Sequence, residues 1–304
     1  MVKGTDLVRY EGLFRKEYAE AAAKIMVKNA YAGLVSIASE IPSSKGVEDY
    51  RWFGELPQFT EWFGDRKIGD LKDYHYYLNN KHFESAVKID SDELDDDNLG
   101  MILTRVRALP AGVPVKWGKL IHEALINGTS EKAFDGVAFF SAASGDRKFS
   151  NLLTGSISAA TPTLAQVVAD IEVARSSMAA YTDANGDAMG IVPDTFVVPP
   201  QLEGLFRQAL ESQSVDGNSG TLNPIKGAGR VVVDPALTDK NDFYALATEG
   251  YEVGALIMQK RQEVETALLD YTKVNKTVVF GADFRGAVGY GFPCLAAKVV
   301  SSVN

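Results

Sequence analysis

Three histidines, His75, His82 and His122, are the side chains from which general acid–base or zinc chemistry would have to start. They form no HExxH pair and no cysteine accompanies them, since Cys294 is the single cysteine of the chain. Each reads as a surface or interface residue, and Cys294 as a small buried apolar one. The acidic run Asp90, Asp92, Glu93, Asp95, Asp96, Asp97 offers the carboxylate oxygens that hard cations need. The same run precedes a helical pattern, where carboxylates cap the first turn and oppose the helix dipole. Asp183, Asn185 and Asp187 copy the opening of a calcium loop, but Ala188 stands where that loop needs glycine, and Asn185-Gly186 is a hairpin-turn signal. Gly227 and Gly229 fall short of a GxGxxG fingerprint, and neither a phosphate loop nor a GxSxG elbow occurs. No catalytic, cofactor-binding or metal site is therefore assigned, no cofactor is expected, and a non-enzymatic role follows.

Bulk properties narrow the classes further. A chain of 304 residues exceeds what one core usually supports. With 46% apolar and 23% charged residues, it has the composition of a folded protein and not of a disordered one. Its net charge of -9 disfavours a dedicated nucleic-acid reader, which needs clustered positive charge to release counterions. The charged stretch Met1–Tyr10 does not read as a secretory signal, so the sequons at Asn127 and Asn275 have no pathway to use. The longest uncharged run, 149–169, is too polar to span a bilayer. A single cysteine suits a reducing cytoplasm.

The elements that would position any site follow from periodicity. Leu7, Tyr10, Phe14, Tyr18, Ala21 and Ile25 make one apolar stripe of an amphipathic N-terminal helix. Ser43, Ser44 and Gly46 then form a linker. Phe83, Val87 and Ile89 lie on one face of a half-buried strand. Leu99, Ile102, Leu103, Val106 and Leu109 predict a helix that Pro110, Gly112 and Pro114 kink or split. It resumes through Leu120 to Leu125 and ends at Gly128, a residue suited to a left-handed cap. Thr161 and Pro162 predict the start of a further helix, and Leu202–Leu210 another. Strands are expected at 195–198, 230–233, 243–247, 252–257, 277–280 and 295–300, which makes the class α+β.

Between Tyr50 and Leu78 the chain is dense in rings: Tyr50, Trp52, Phe53, Phe59, Trp62, Phe63, Tyr74, Tyr76 and Tyr77. Gly54, Pro57, Gly64 and Gly69 exclude one long helix. Rings beside Arg51, Arg66, Lys67 and Lys72 suit strands and turns covered by something else, because a two-stranded hairpin cannot hide them. That cover is either a neighbouring subunit or this chain's own core.

The segments Tyr50-Arg-Trp-Phe-Gly-Glu-Leu-Pro, Glu61-Trp-Phe-Gly-Asp-Arg, Phe83-Glu-Ser-Ala-Val-Lys-Ile and Asp95-Asp-Asp-Asn-Leu-Gly resemble the Mu-like phage major head subunit, gene product T. Ala133-Phe-Asp-Gly-Val-Ala-Phe-Phe, Pro193-Asp-Thr-Phe-Val-Val-Pro-Pro-Gln-Leu-Glu and Leu222-Asn-Pro-Ile-Lys-Gly continue the resemblance, which covers the chain from about residue 50 onward. It implies the α+β tailed-phage major capsid fold. Residues 1–50 would be an N-terminal arm with an amphipathic helix, and 51–80 an extended loop. Residues 81–154 would be a peripheral domain with a long spine helix, 155–255 an axial domain, and 256–304 a return to the peripheral domain. Whether the first 45 residues are an arm, a scaffold-binding element or a removable segment stays open.

The function so implied is that of a self-assembling icosahedral shell enclosing double-stranded DNA in a virion, put together in the bacterial host cytoplasm. Partners would be further copies in pentamers and hexamers, scaffold and portal proteins, and DNA held without sequence-specific binding; no membrane is involved. Trp62, Phe63, Arg66 and Lys67 are the expected subunit-contact residues, packing over an adjacent copy while the arm clasps another. Two alternatives stand: an encapsulin-like compartment around protein cargo, and a soluble metal-dependent hydrolase using Asp95–Asp97.

Overall fold

The computed structural model describes residues 4–24, 28–51, 74–95, 99–183, 186–214, 222–272 and 277–301. From the N-terminus come α1 (Gly4–Lys24), α2 (Ala30–Leu34), β1 (Ala38–Pro42), β2 (Val47–Tyr50), β3 (Tyr76–Asn79) and β4 (Lys81–Asp90). Three helices follow, α3 (Ser91–Asp95), α4 (Leu99–Ala108) and α5 (Gly112–Asn127), then β5 (Leu152–Gly155), α6 (Leu164–Ala179), β6 (Thr195–Val198) and α7 (Glu203–Glu211). The remaining strands are β7 (Arg230–Val233), β8 (Phe243–Leu246), β9 (Leu256–Thr272), β10 (Thr277–Tyr290) and β11 (Ala296–Ser301).

These strands form two sheets and a ribbon. One sheet has the order β1-β9-β10-β4, the other β5-β11-β8-β6-β7, and β2 pairs with β3 alone. Of the last three strands, β9 and β10 lie in the first sheet and β11 in the second. The architecture is mixed α+β.

The larger core lies around the five-stranded sheet. Its central strands β6 and β8 are buried along their whole length, as expected of apolar runs covered on both faces. Phe196, Phe206 and Phe243 fill the space between this sheet and α7, while Tyr244 meets Phe140 on the opposite face. Helix α6 opens with a capping box in which Thr163 accepts from the Gln166 backbone N–H and Gln166 reaches back. The cap is therefore Thr163, two residues beyond the expected Thr161, because only Thr163 has Gln166 three positions on.

A second core lies under α1. Tyr10, Phe14 and Tyr18 stand four apart, and Phe14 and Tyr18 are buried with Ile89, Ile102, Val106, Val278 and Phe280. The Phe14 and Phe280 rings meet edge to face at 5.5 Å, and Arg107 donates to Glu17 at 2.7 Å. Phe14 and Tyr18, in the middle of the apolar stripe of the N-terminal helix, are thus covered by their own chain.

The expected break at Pro110 is a 3-10 turn, Leu109–Ala111, between α4 and α5. Ala108, Ala111 and Gly112 all keep right-handed helical dihedrals, so the path continues through both prolines. Pro110 and Pro114 fall in the first turns of their segments, where no N–H is needed. Gly128 is not left-handed; its φ is -61°. Its smallness serves packing instead, since a Cβ there would meet the Phe140 ring. Gly118 is needed more sharply, because a Cβ would run into the Tyr31 carbonyl where α2 crosses α5.

Two strands are far longer than expected. β9 begins at Leu256 and not at Glu252, and β10 runs ten residues past Phe280. Asp194, beside β6, ties the turn after β8: its carboxylate accepts from the Thr248 and Glu249 backbone N–H groups and the Thr195 and Thr248 hydroxyls at 2.7–2.9 Å. Burial works against its charged form, but these donors outweigh burial and hold the carboxyl below its usual range. Among the described residues no helix is long and apolar enough to cross a membrane.

Two tests follow. Gly118→Ala should destabilise the chain by about 1–3 kcal/mol as an overpacked contact, seen as a lower urea midpoint. A carboxylate with a depressed folded pKa stabilises above its unfolded value, about 4, and loses that contribution as pH falls through the folded value. The stability gap between native chain and Asp194→Asn should therefore be full at pH 7 and shrink on acidification below pH 4.

Candidate subunit interface

An isolated two-stranded ribbon is marginal in water, so β2–β3 must be held from outside. Tyr50 and Leu78 supply the apolar part, buried with Ile257 and Ala287 of the four-stranded sheet. Polar groups supply the direction. Tyr50 Oη donates to Gln259 Oε1 at 2.7 Å, and Gln259 Nε2 donates to Asn80 Oδ1 at 2.7 Å. Asn80 Nδ2 in turn donates to Ser43 Oγ and the Lys45 carbonyl. Gln259 is fully buried, so each of its polar atoms needs a partner there. Tyr76 Oη accepts from the Tyr290 N–H at 3.0 Å. Burial pushes the Tyr50 and Tyr76 phenols up to about 12, which keeps both neutral.

The turn that feeds the ribbon is also tied. Glu48 accepts from the Ser44 and Lys45 N–H groups and the Ser43 hydroxyl at 2.8–3.0 Å, and the Ser44 bond leads in lowering its pKa. The expected linker at Ser43–Gly46 is thus a hydrogen-bonded turn. At the open end, Tyr74 Oη donates to Asp146 at 2.8 Å and its ring meets Phe134 at 5.4 Å. Asp49 accepts from Arg51 Nε at 2.8 Å and lies 3.1 Å from His75 Nδ1; the Arg51 bond leads in lowering its pKa.

The contact residues expected from sequence, Trp62, Phe63, Arg66 and Lys67, lie outside the described residues. Of the rings that are described, Tyr50 and Tyr76 enter this chain's own packing, while Tyr77 is 61% exposed. The reading in which the rings enter this chain's own core therefore holds for Tyr50 and Tyr76. The anchoring pair Gln259 and Asn80 carried no signal in the sequence.

The residues with chemical potential stay apart. His75 lies by Asp49, and His82 by Asp283 at 2.8 Å on the β4–β10 pair. His122 is 2.6 Å from Asp234, with side-chain exposures of 13% and 0%, so it is a half-buried link between α5 and the end of β7. Glu93 reaches Arg105, and Asp90 caps the Asp92 N–H at the start of α3; Asp96 and Asp97 lie outside the described residues. Asp183 closes its turn by accepting from the Asp187 N–H. Among the described residues no group of three or more His, Cys, Asp or Glu could hold a metal ion.

Comparison with known proteins gives three results. The family model described as "Mu-like prophage major head subunit gpT" matches residues 10–161 and 157–237, well over half of the chain. The FluMu major head subunit of Haemophilus influenzae is 29% identical over 127 residues, 42% of this chain and 40% of that protein. The major capsid protein of Escherichia phage Mu is 34% identical over 104 residues, 34% of each. These alignments span less than half of either relative. A solved procapsid of bacteriophage JBD30 superposes with a TM-score of 0.59 at 20% identity, covering 100% of this chain and 77% of that one, a likeness of fold.

Removing the Gln259 amide should take one hydrogen bond from the Tyr50 hydroxyl and one from Asn80 Oδ1, at about 1–3 kcal/mol. In Gln259→Leu, hydrogen exchange at 47–50 and 76–79 should speed up tenfold or more while β6 and β8 keep their protection.

Proposed function

From the premise that the chain belongs to the Mu-like prophage major head subunit family, we propose that it works as the repeating subunit of a closed icosahedral shell around double-stranded DNA. The family match over residues 10–237 carries this reading. The fold likeness supports it, as does the anchored ribbon from which a ring-rich segment departs. Identical copies in pentamers and hexamers are the principal partners, and scaffold and portal proteins complete the head. A shell subunit obtains its function from contact area, commonly ~2,000 Å² or more for obligate interfaces, so no catalytic residue is required. The net charge of -9 suits a container whose DNA must enter and leave. Assembly takes place in the bacterial host cytoplasm, and the product is the virion head.

On this reading Trp62 and Phe63 pack over an adjacent copy. The double variant Trp62→Ala, Phe63→Ala should stay soluble and fail to form closed shells by negative-stain microscopy; normal shells from it would refute the assignment. Purified native particles should contain DNA, whereas particles filled with protein cargo would favour an encapsulin-like compartment.

A further inference from the structure

Between α5 and β5 the chain makes two tight turns, 133–137 and 144–147, each using a left-handed glycine, Gly136 (φ 75°) and Gly145 (φ 61°). A buried ion pair joins them. Arg147 Nε and Nη2 donate to the two carboxylate oxygens of Asp135 at 2.9 and 3.0 Å, with side-chain exposures of 1% and 8%. Arg147 Nη1 donates to the Ala138 and Phe139 carbonyls and the Ser141 hydroxyl at 2.8–3.1 Å. Asn151, fully buried, ties the pair of turns to the five-stranded sheet. Its Nδ2 donates to the Phe139 and Pro293 carbonyls, and its own carbonyl accepts from the Lys298 N–H in β11.

Replacing a buried ion pair by apolar side chains is often neutral for stability, so stability alone does not account for this one. The chain neighbours of the pair supply a role. Phe134 immediately precedes Asp135, and Asp146 immediately precedes Arg147. These are the two residues that meet Tyr74 at the open end of the ribbon, Phe134 by its ring at 5.4 Å and Asp146 by its carboxylate at 2.8 Å. They come from different turns, so the fork between Arg147 and Asp135 sets how far apart ring and carboxylate stand. A guanidinium fixes angle as well as distance through two parallel bonds, which an ammonium cannot do. The closed end of the ribbon is held separately, where the Ser43 N–H donates to the Lys260 carbonyl.

We infer that the two turns are a bracket for the open end of the ribbon, and that Arg147 is a positioning residue acting on Tyr74 through Asp135, Phe134 and Asp146. The ribbon is then mounted at two points, on the four-stranded sheet at one end and through the bracket on the five-stranded sheet at the other. Its free face carries Val47 and Tyr77, both exposed and on the same side by register. The consequence for assembly rests on the shell reading: a ribbon held at both ends presents the same surface in every copy, as a repeated contact requires.

Cys294, the single native cysteine, is buried, so nitroxide labels on Tyr77→Cys and Met101→Cys report the distance from ribbon to α4 without background. In the unassembled chain, Tyr74→Ala should broaden that distance distribution, and Arg147→Lys should broaden it with circular dichroism unchanged. Tyr74→Phe, which keeps the ring against Phe134, should recover part of the native width. In the Tyr74→Ala background Arg147→Lys should add no further broadening, a result that a role in folding alone would not give. Both variants should form about tenfold fewer closed shells, since a lattice multiplies a small loss at each contact. A native width in Tyr74→Ala, or broadening by Arg147→Lys that persists in full without Tyr74, would overturn the inference. If Arg147→Lys does not fold, Tyr74→Ala and Asp146→Ala carry the test with the same two outcomes. A native chain that never closes into shells would overturn the shell reading, while the widths still test the bracket.

Discussion

Two paired strands with water on both faces do not hold a direction, and β2 and β3 lie on either side of the 22-residue segment 52–73 in the chain. The structure resolves this with one buried amide. Gln259 sits where β9 passes under the ribbon, accepting from Tyr50 and donating to Asn80. Because its environment is dry, leaving either end unpaired costs more than the bond gains, so the ribbon is fixed in one orientation. Tyr50, Leu78 and the Tyr76 hydroxyl add area and a second tether, and the Glu48 turn fixes how the chain enters.

A rigid root is useful only on a rigid frame. β9 and β10 form the long hairpin under the ribbon, and α4 and α5 run as one helical path despite two prolines. Helix α1 seals the exposed face of that hairpin with Phe14 and Tyr18. The His122–Asp234 contact and the Tyr31 crossing at Gly118 join this frame to the five-stranded sheet. The ribbon is thereby held at a fixed position on the frame.

Much of this was legible from periodicity. α4, α5, α7, β6 and β8 lie where their apolar patterns place them, since each buries one stripe or a continuous run. The long strands were not legible. Gly281, Gly286 and Gly289 interrupt the β10 pattern, and three register shifts against β10 break the alternation of β9. The ring-rich segment announced itself by composition, and its resemblance to a head subunit gave the fold. What anchors it could not be read, because Tyr50 and Gln259 are 209 residues apart and only tertiary structure brings them together. The link from His122 to Asp234 is hidden for the same reason, since the two lie 112 residues apart.

The central claim is that the ring-bearing surface of residues 52–73 finds its cover on another copy. A cryo-EM map of assembled particles at side-chain resolution tests it most directly. The account predicts density for Trp62 and Phe63 against an adjoining subunit. Density showing that segment folded back into its own subunit, around a ligand or cation, would contradict it.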